Sequence, residues 1–99
     1  MTEKLKTTTP ANDGAMPAYE GRVFVSLKPT VNDPEGTTIA GALSSLGFAG
    51  VTAVRAGRYF EVSLQAEDQA AAERAVKDMC SRLLANTVIE TFSFEVAPK

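Results

Sequence analysis

The chain has no histidine and no tryptophan, and a single cysteine among its 99 residues. Without histidine, the commonest general base, proton shuttle and metal ligand is missing. With one thiol, Cys80, neither an intrachain disulfide nor a thiolate zinc cluster can form, and a cytosolic setting is expected. Positive charge is also scarce: 10 Lys and Arg against 12 Asp and Glu leave a net charge of -2 and a pI near 5.0. Such a chain is expected to bind neither nucleic acid nor an anionic membrane surface. No stretch approaches the ~18 consecutive apolar residues of a membrane span. The opening Met1-Thr2-Glu3-Lys4-Leu5-Lys6 has basic residues without the apolar region of a secretory signal behind it. What is present is 10.5 kDa of chain, 44% hydrophobic, which makes one small domain. Its own core is modest, and a partner subunit would add to it.

Residues 1–18 differ from the rest. Thr7-Thr8-Thr9-Pro10-Ala11-Asn12-Asp13-Gly14 is polar, aperiodic and rich in breakers. It cannot bury enough apolar surface to offset the entropy of ordering, so a disordered N-terminal tail is expected there. Residues 19–99 are expected to form the domain.

Arg22–Lys28 alternates, with Val23, Val25 and Leu27 on one face and Arg22, Phe24, Ser26 and Lys28 on the other, which predicts a half-buried strand ending at Pro29. Asp33 then suits a helix N-cap, Pro34 the first helical position, and Glu35 the positive end of the helix dipole. Ile39, Ala42, Leu43 and Leu46 share one helical face, and Gly47 can close the helix in a left-handed conformation. Val51–Arg55 reads as a weak strand. Ala56-Gly57 then makes a hairpin turn, with Gly57 at positive φ. A clear strand follows in which Phe60, Val62 and Leu64 alternate with Tyr59, Glu61 and Ser63. Asp68 caps a second helix from Gln69 to about Ala85, with Ala72, Val76, Met79 and Leu83 as its core face and Cys80 and Leu84 beside them. Phe92, Phe94 and Val96 alternate in a last strand.

This order predicts an α+β, ferredoxin-like βαββαβ fold: a four-stranded antiparallel sheet with two helices on one face. The other face would be open in a monomer. The rings of Phe24 and Tyr59 on it imply that something covers it.

No phosphate loop or dinucleotide fingerprint is present. Cys80 lies on the apolar flank of the second helix with no base to activate it, and reads as a buried structural thiol. Asp33 and Glu35 are accounted for by helix capping, Glu67, Asp68 and Glu73 by a solvated helix start, and Met79 by the core. Gly47-Phe48-Ala49-Gly50 follows a helix instead of opening one and reads as a turn. No set of residues supplies nucleophile, base and orienting group together. Arg55 and Arg58 flank the expected hairpin turn, either as solvated charges or as anchors for a partner's carboxylates or phosphates. Phe24 and Tyr59 occupy the faces on which RNA-recognition domains of this topology stack bases. The basic glycine-aromatic motif of those domains is absent here, and Glu61 shares the face. A stand-alone binding domain for RNA or a small ligand is the alternative reading.

Several short motifs carry a family resemblance. Val25-Ser26-Leu27-Lys28-Pro29, Asp33-Pro34-Glu35-Gly36, Ala42-Leu43 with Leu46-Gly47, Val54-Arg55-Ala56-Gly57-Arg58, Cys80 with Leu83-Leu84-Ala85-Asn86, and Val88-Ile89-Glu90 together resemble PurS. PurS is the small subunit of phosphoribosylformylglycinamidine synthase, or formylglycinamide ribonucleotide amidotransferase. The resemblance runs in register over about residues 20–97. Thr30, Asn32 and Arg58 depart from the family's usual residues.

The resemblance implies a non-catalytic part in purine biosynthesis. A glutaminase subunit would release ammonia from glutamine. A large synthetase subunit would use ATP and magnesium to convert formylglycinamide ribonucleotide to the amidine. This chain would form dimers or tetramers, join the other two, bind no cofactor and supply no catalytic residue. The partner or oligomer interface is expected at Phe24, Lys28, Asp33, Arg55, Arg58 and Tyr59.

Overall fold

Three strands, two helices and one wide helical turn make up the described residues, 16–99, of the computed structural model. β1 (Ala18–Leu27), β2 (Gly57–Gln65) and β3 (Glu90–Pro98) form an antiparallel sheet in the order β2-β1-β3. The apolar alternation read in each strand sets the register: Val23 lies opposite both Phe60 and Phe94, and Phe24 opposite Tyr59. β1 is central because both its neighbours hydrogen-bond to it, which leaves β2 and β3 as edges. Of the expected tail at residues 1–18, residues 1–15 lie outside the described residues; β1 already begins at Ala18.

α2 (Gln69–Met79) starts at Asp68, whose side chain accepts the Ala71 N–H at 2.8 Å. It packs on the inner face of the sheet through Ala72 and Val76, both fully buried. Gly21 makes room for it: a Cβ there would lie 3.0 Å from a Val76 methyl. The core consists of Val23, Val25, Val76, Cys80 and Ala85, flanked by Phe60, Leu64, Leu84, Phe92, Phe94 and Val96. The Gln69 amide donates to the Val96 carbonyl at 2.7 Å and ties the start of α2 to β3.

The second helix does not continue in α form to Ala85. From Cys80 to Leu84 it widens into a π turn, closed by the Ala85 N–H on the Cys80 carbonyl at 3.0 Å. The wider turn advances the inward face by one residue. Leu84 and Ala85 therefore turn inward after Cys80, and Leu83, expected in the core, is 82% exposed.

α1 (Pro34–Ser45) forms as its sequence predicts and ends as predicted. Gly47 adopts φ 99°, its N–H bonds the Ser44 carbonyl, and the Phe48 N–H reaches back to the Leu43 carbonyl at 3.1 Å. Its placement is the surprise. Of its residues only Gly36 is buried, and Ile39 and Leu46 of the expected core face are exposed. One helix, α2, covers the sheet, and α1 stands off it.

The fourth strand expected at Val51–Arg55 is not formed among the described residues. The physical reason lies at the start of α1. The Ala56 N–H is taken by the Asp33 carboxylate, and the Val54 carbonyl sits so close to Gly36 that any Cβ there would collide with it. The segment therefore runs along α1 instead of the sheet edge. No hairpin forms at Ala56-Gly57, and Gly57 is not at positive φ. Glycine is needed at 57 for another reason: a Cβ there would lie 2.4 Å from the Val25 carbonyl oxygen at the start of the β1–β2 ladder.

Candidate functional site

The residues expected at an interface separate into two groups. Lys28, Asp33, Arg55 and Arg58 gather at the end of the sheet where β1 finishes and β2 and β3 begin. Phe24 and Tyr59 lie mid-strand on the face away from α2.

At the sheet end the organising group is Asp33, a buried carboxylate. One oxygen accepts the Gly36 N–H at 3.0 Å, capping α1; the other accepts the Ala56 N–H at 2.7 Å. These bonds, Gly36 first and then Ala56, hold the carboxyl below the usual carboxylate range. Arg55 does not project from a tip. Its Nη2 donates to the carbonyls of Lys28 at 2.8 Å and Val31 at 2.9 Å, pinning the loop between β1 and α1. Lys28 itself contributes main chain: its N–H donates to the Ile89 carbonyl at 2.9 Å, joining the same loop to the approach to β3.

Arg58 turns toward β3. It meets Glu90 Oε1 at 2.6 Å and lies over the Phe60 ring, 5.6 Å from its centroid. Glu90 Oε1 also accepts the Asn86 N–H at 2.7 Å. The Asn86 bond and then Arg58 hold the Glu90 carboxyl below its ordinary range, against the opposing pull of desolvation. An open cleft of about 220 Å³ is lined by Asp33, Glu35, Arg58 and Glu90 together with residues of the β1 end and the β2 start. Glu90 was not singled out from the sequence as a site residue. The available signal was an acid at an inward-facing strand position, just before Phe92.

On the open face, the Phe24 and Tyr59 rings pack with centroids 5.2 Å apart, both exposed. The Tyr59 hydroxyl donates to Glu61 at 3.0 Å, and desolvation together with that carboxylate raises its pKa. Arg22 stands at 3.9 Å from Glu20 and from Glu95, contacts too loose to hold it. The face is thus an apolar pair in a rim of mixed charge, the make-up of a protein-contact surface. Cys80 is fully buried and burial pushes its thiol pKa up, which suits packing and not attack. Among the described residues no group of His, Cys, Asp and Glu side chains is arranged to hold a metal ion, and no helix is long and apolar enough to cross a membrane.

With Asp33, Arg55 and Arg58 engaged in internal ties and Phe24 and Tyr59 standing exposed, the fold and site define a class: a small α+β domain with a candidate contact surface. Comparison with known proteins agrees with that class. The family model for PurS, phosphoribosylformylglycinamidine (FGAM) synthase, matches residues 20–98. The PurS subunit of Synechocystis sp. is 43% identical over 88 residues, which cover 89% of this chain and 88% of that protein. The crystal structure of PurS from Bacillus subtilis superposes with a TM-score of 0.71 at 43% identity, covering 80% of this chain and 98% of that one. A chain of the PurLQS structure from Thermotoga maritima superposes with a TM-score of 0.72 at 31% identity, covering 85% of this chain and all of that one. The chain belongs to the PurS family, the PurS subunits of FGAM synthase in purine biosynthesis.

Proposed function

We propose that this chain is a non-catalytic assembly subunit. It joins a glutaminase subunit and a large synthetase subunit, so that ammonia released from glutamine reaches the synthetase without loss to water, and it pairs with a second copy of itself. Glutamine, ATP and magnesium are handled by the other two subunits, in the cytoplasm. The observation that carries this reading is the superposition, over the whole of the matched chain, on a chain of the PurLQS structure. The exposed Phe24–Tyr59 pair and the outward apolar residues of α1 support it, because each is contact surface that the chain leaves without cover of its own.

Reconstitution tests it. With purified glutaminase and synthetase subunits, adding this chain should raise glutamine-dependent FGAM formation and affect ammonia-driven formation less. Phe24→Asp should weaken co-sedimentation with the partners while the isolated subunit keeps its fold. Glutamine hydrolysis by the chain alone, or glutamine-dependent turnover that does not respond to it, would overturn the proposal.

A further inference from the structure

We infer that Asp33 and Arg55 are positioning residues: between them they set the direction in which α1 leaves the sheet, and assembly with the partner subunits depends on that direction. The second half of this inference rests on the assembly role proposed above.

The chain crosses between the sheet and α1 twice, outward over residues 28–33 and back over residues 54–57. Gly36 is the one buried residue of α1, so the helix does not pack on the sheet that carries it. Two loop crossings by themselves make a hinge, because a few loop dihedrals absorb a rotation about the line that joins them.

Asp33 and Arg55 brace this hinge reciprocally. Asp33, on the outgoing crossing, takes the Ala56 N–H of the returning one at 2.7 Å and, with its other oxygen, the Gly36 N–H in the first turn of α1. Arg55, on the returning crossing, donates to the Lys28 and Val31 carbonyls of the outgoing one at 2.8 and 2.9 Å. Those carbonyls belong to one turn, closed by the Val31 N–H on the Lys28 carbonyl at 2.9 Å. Both crossings are also fastened to the sheet. The Lys28 N–H donates to the Ile89 carbonyl, and Gly57 pairs with Ser26 in the β1–β2 ladder. The ties therefore run from the strands, through both side chains, into the start of the helix.

Direction matters because α1 is a lever. Its twelve residues span about 18 Å, so a swing of about 15° at the base moves the far end by about 5 Å. That exceeds the ~4.5 Å within which apolar side chains touch. The residues at the far end are apolar and exposed, Leu46 by 74% and Phe48 by 57%. A swinging helix would place them correctly for part of the time, and the apparent affinity for a partner falls by that fraction. Asp33 is buried and Arg55 is engaged with main-chain carbonyls, which suits action through α1 in place of direct contact.

Two measurements test this. Nitroxide labels at Leu46→Cys and Ser63→Cys, in full-length chain diluted into unlabelled chain, report the distance from helix end to sheet by pulsed electron paramagnetic resonance, with Cys80 buried and unlabelled. The distribution should be narrow with Asp33 and Arg55 in place. It should broaden with Arg55→Ala, and with Asp33→Asn, whose amide keeps one acceptor oxygen, while the far-UV helix signal is retained. In reconstitution, Arg55→Ala should raise the concentration of this subunit giving half-maximal glutamine-dependent FGAM formation about tenfold, as for a helix correctly placed about a tenth of the time, with turnover at saturation retained. A narrow distribution in both variants overturns the brace. A broad one with unaltered half-saturation overturns the dependence of assembly on it. Loss of the helix signal in both variants assigns the two residues to folding and overturns positioning. If the unaltered chain leaves glutamine-dependent turnover unchanged, the assembly role itself falls, and the distance measurement still reads the brace.

Discussion

The carboxylate of Asp33 accepts the backbone N–H of Ala56, 23 residues further along the chain, at 2.7 Å. Its other oxygen caps α1 at Gly36. One side chain therefore starts the helix and fixes where the returning segment enters β2. Both bonds stabilise the ionised form, so the folded state holds this proton less tightly than the unfolded chain. The contribution of Asp33 to stability is fully present above its ordinary value of 3.8 and is lost as the pH falls through its lower folded value. Asp33→Asn should lower the thermal midpoint at neutral pH and flatten the acid limb of stability against pH below 3.8. Glu90, also held low, should leave a residual slope in that variant. Thermal melts through that range check both.

Two glycines of α1 should respond oppositely to the same substitution. Gly41 has open space around its missing Cβ, so Gly41→Ala should stabilise by about 0.5–1 kcal/mol through helix propensity. A Cβ at Gly36 would lie 2.1 Å from the Val54 carbonyl oxygen. Gly36→Ala should therefore destabilise by more than about 2 kcal/mol, despite the better helix former. Urea denaturation of the two variants reads the opposite signs.

Arg55 is a structural tie before it is anything else. Its bonds to the Lys28 and Val31 carbonyls hold the loop that enters α1. Arg55→Ala should cost about 1.5 kcal/mol, the lower end of the scale for hydrogen bonds involving a charged group, because both bonds are exposed. It should also open residues 28–33 to limited proteolysis. An unchanged cleavage pattern together with an unchanged midpoint would mean that the loop is held without it.

Cys80 should be silent in the native state. It is fully buried at the π turn, with its pKa raised by desolvation. A thiol reagent such as Ellman's reagent should report no reaction in native buffer and one thiol per chain in denaturant. Its rate should follow global unfolding and not local opening.

The local rules written in this sequence decided most of its elements. Alternation placed Val23, Val25, Phe60, Phe92 and Phe94 inward, Asp33 and Asp68 began both helices, and Gly47 ended the first. The PurS resemblance was legible for the same reason, since its motifs are runs of adjacent residues. Periodicity reports which residues share a face, however, and not what that face meets. Ile39 and Leu46 form the apolar stripe that their spacing requires, yet α1 carries it clear of its own sheet. The clamp of Asp33 on Ala56 and the close approach of Val54 to Gly36 join residues roughly twenty apart, and no local pattern announces such contacts. They drew Val51–Arg55 away from the sheet edge and removed the hairpin that would have put Arg55 and Arg58 at a tip. One extra residue in the turn at Cys80 then kept Leu84 against the core and turned Leu83 out of it. Tertiary structure alone decided these outcomes, because each depends on backbone groups finding partners far along the chain.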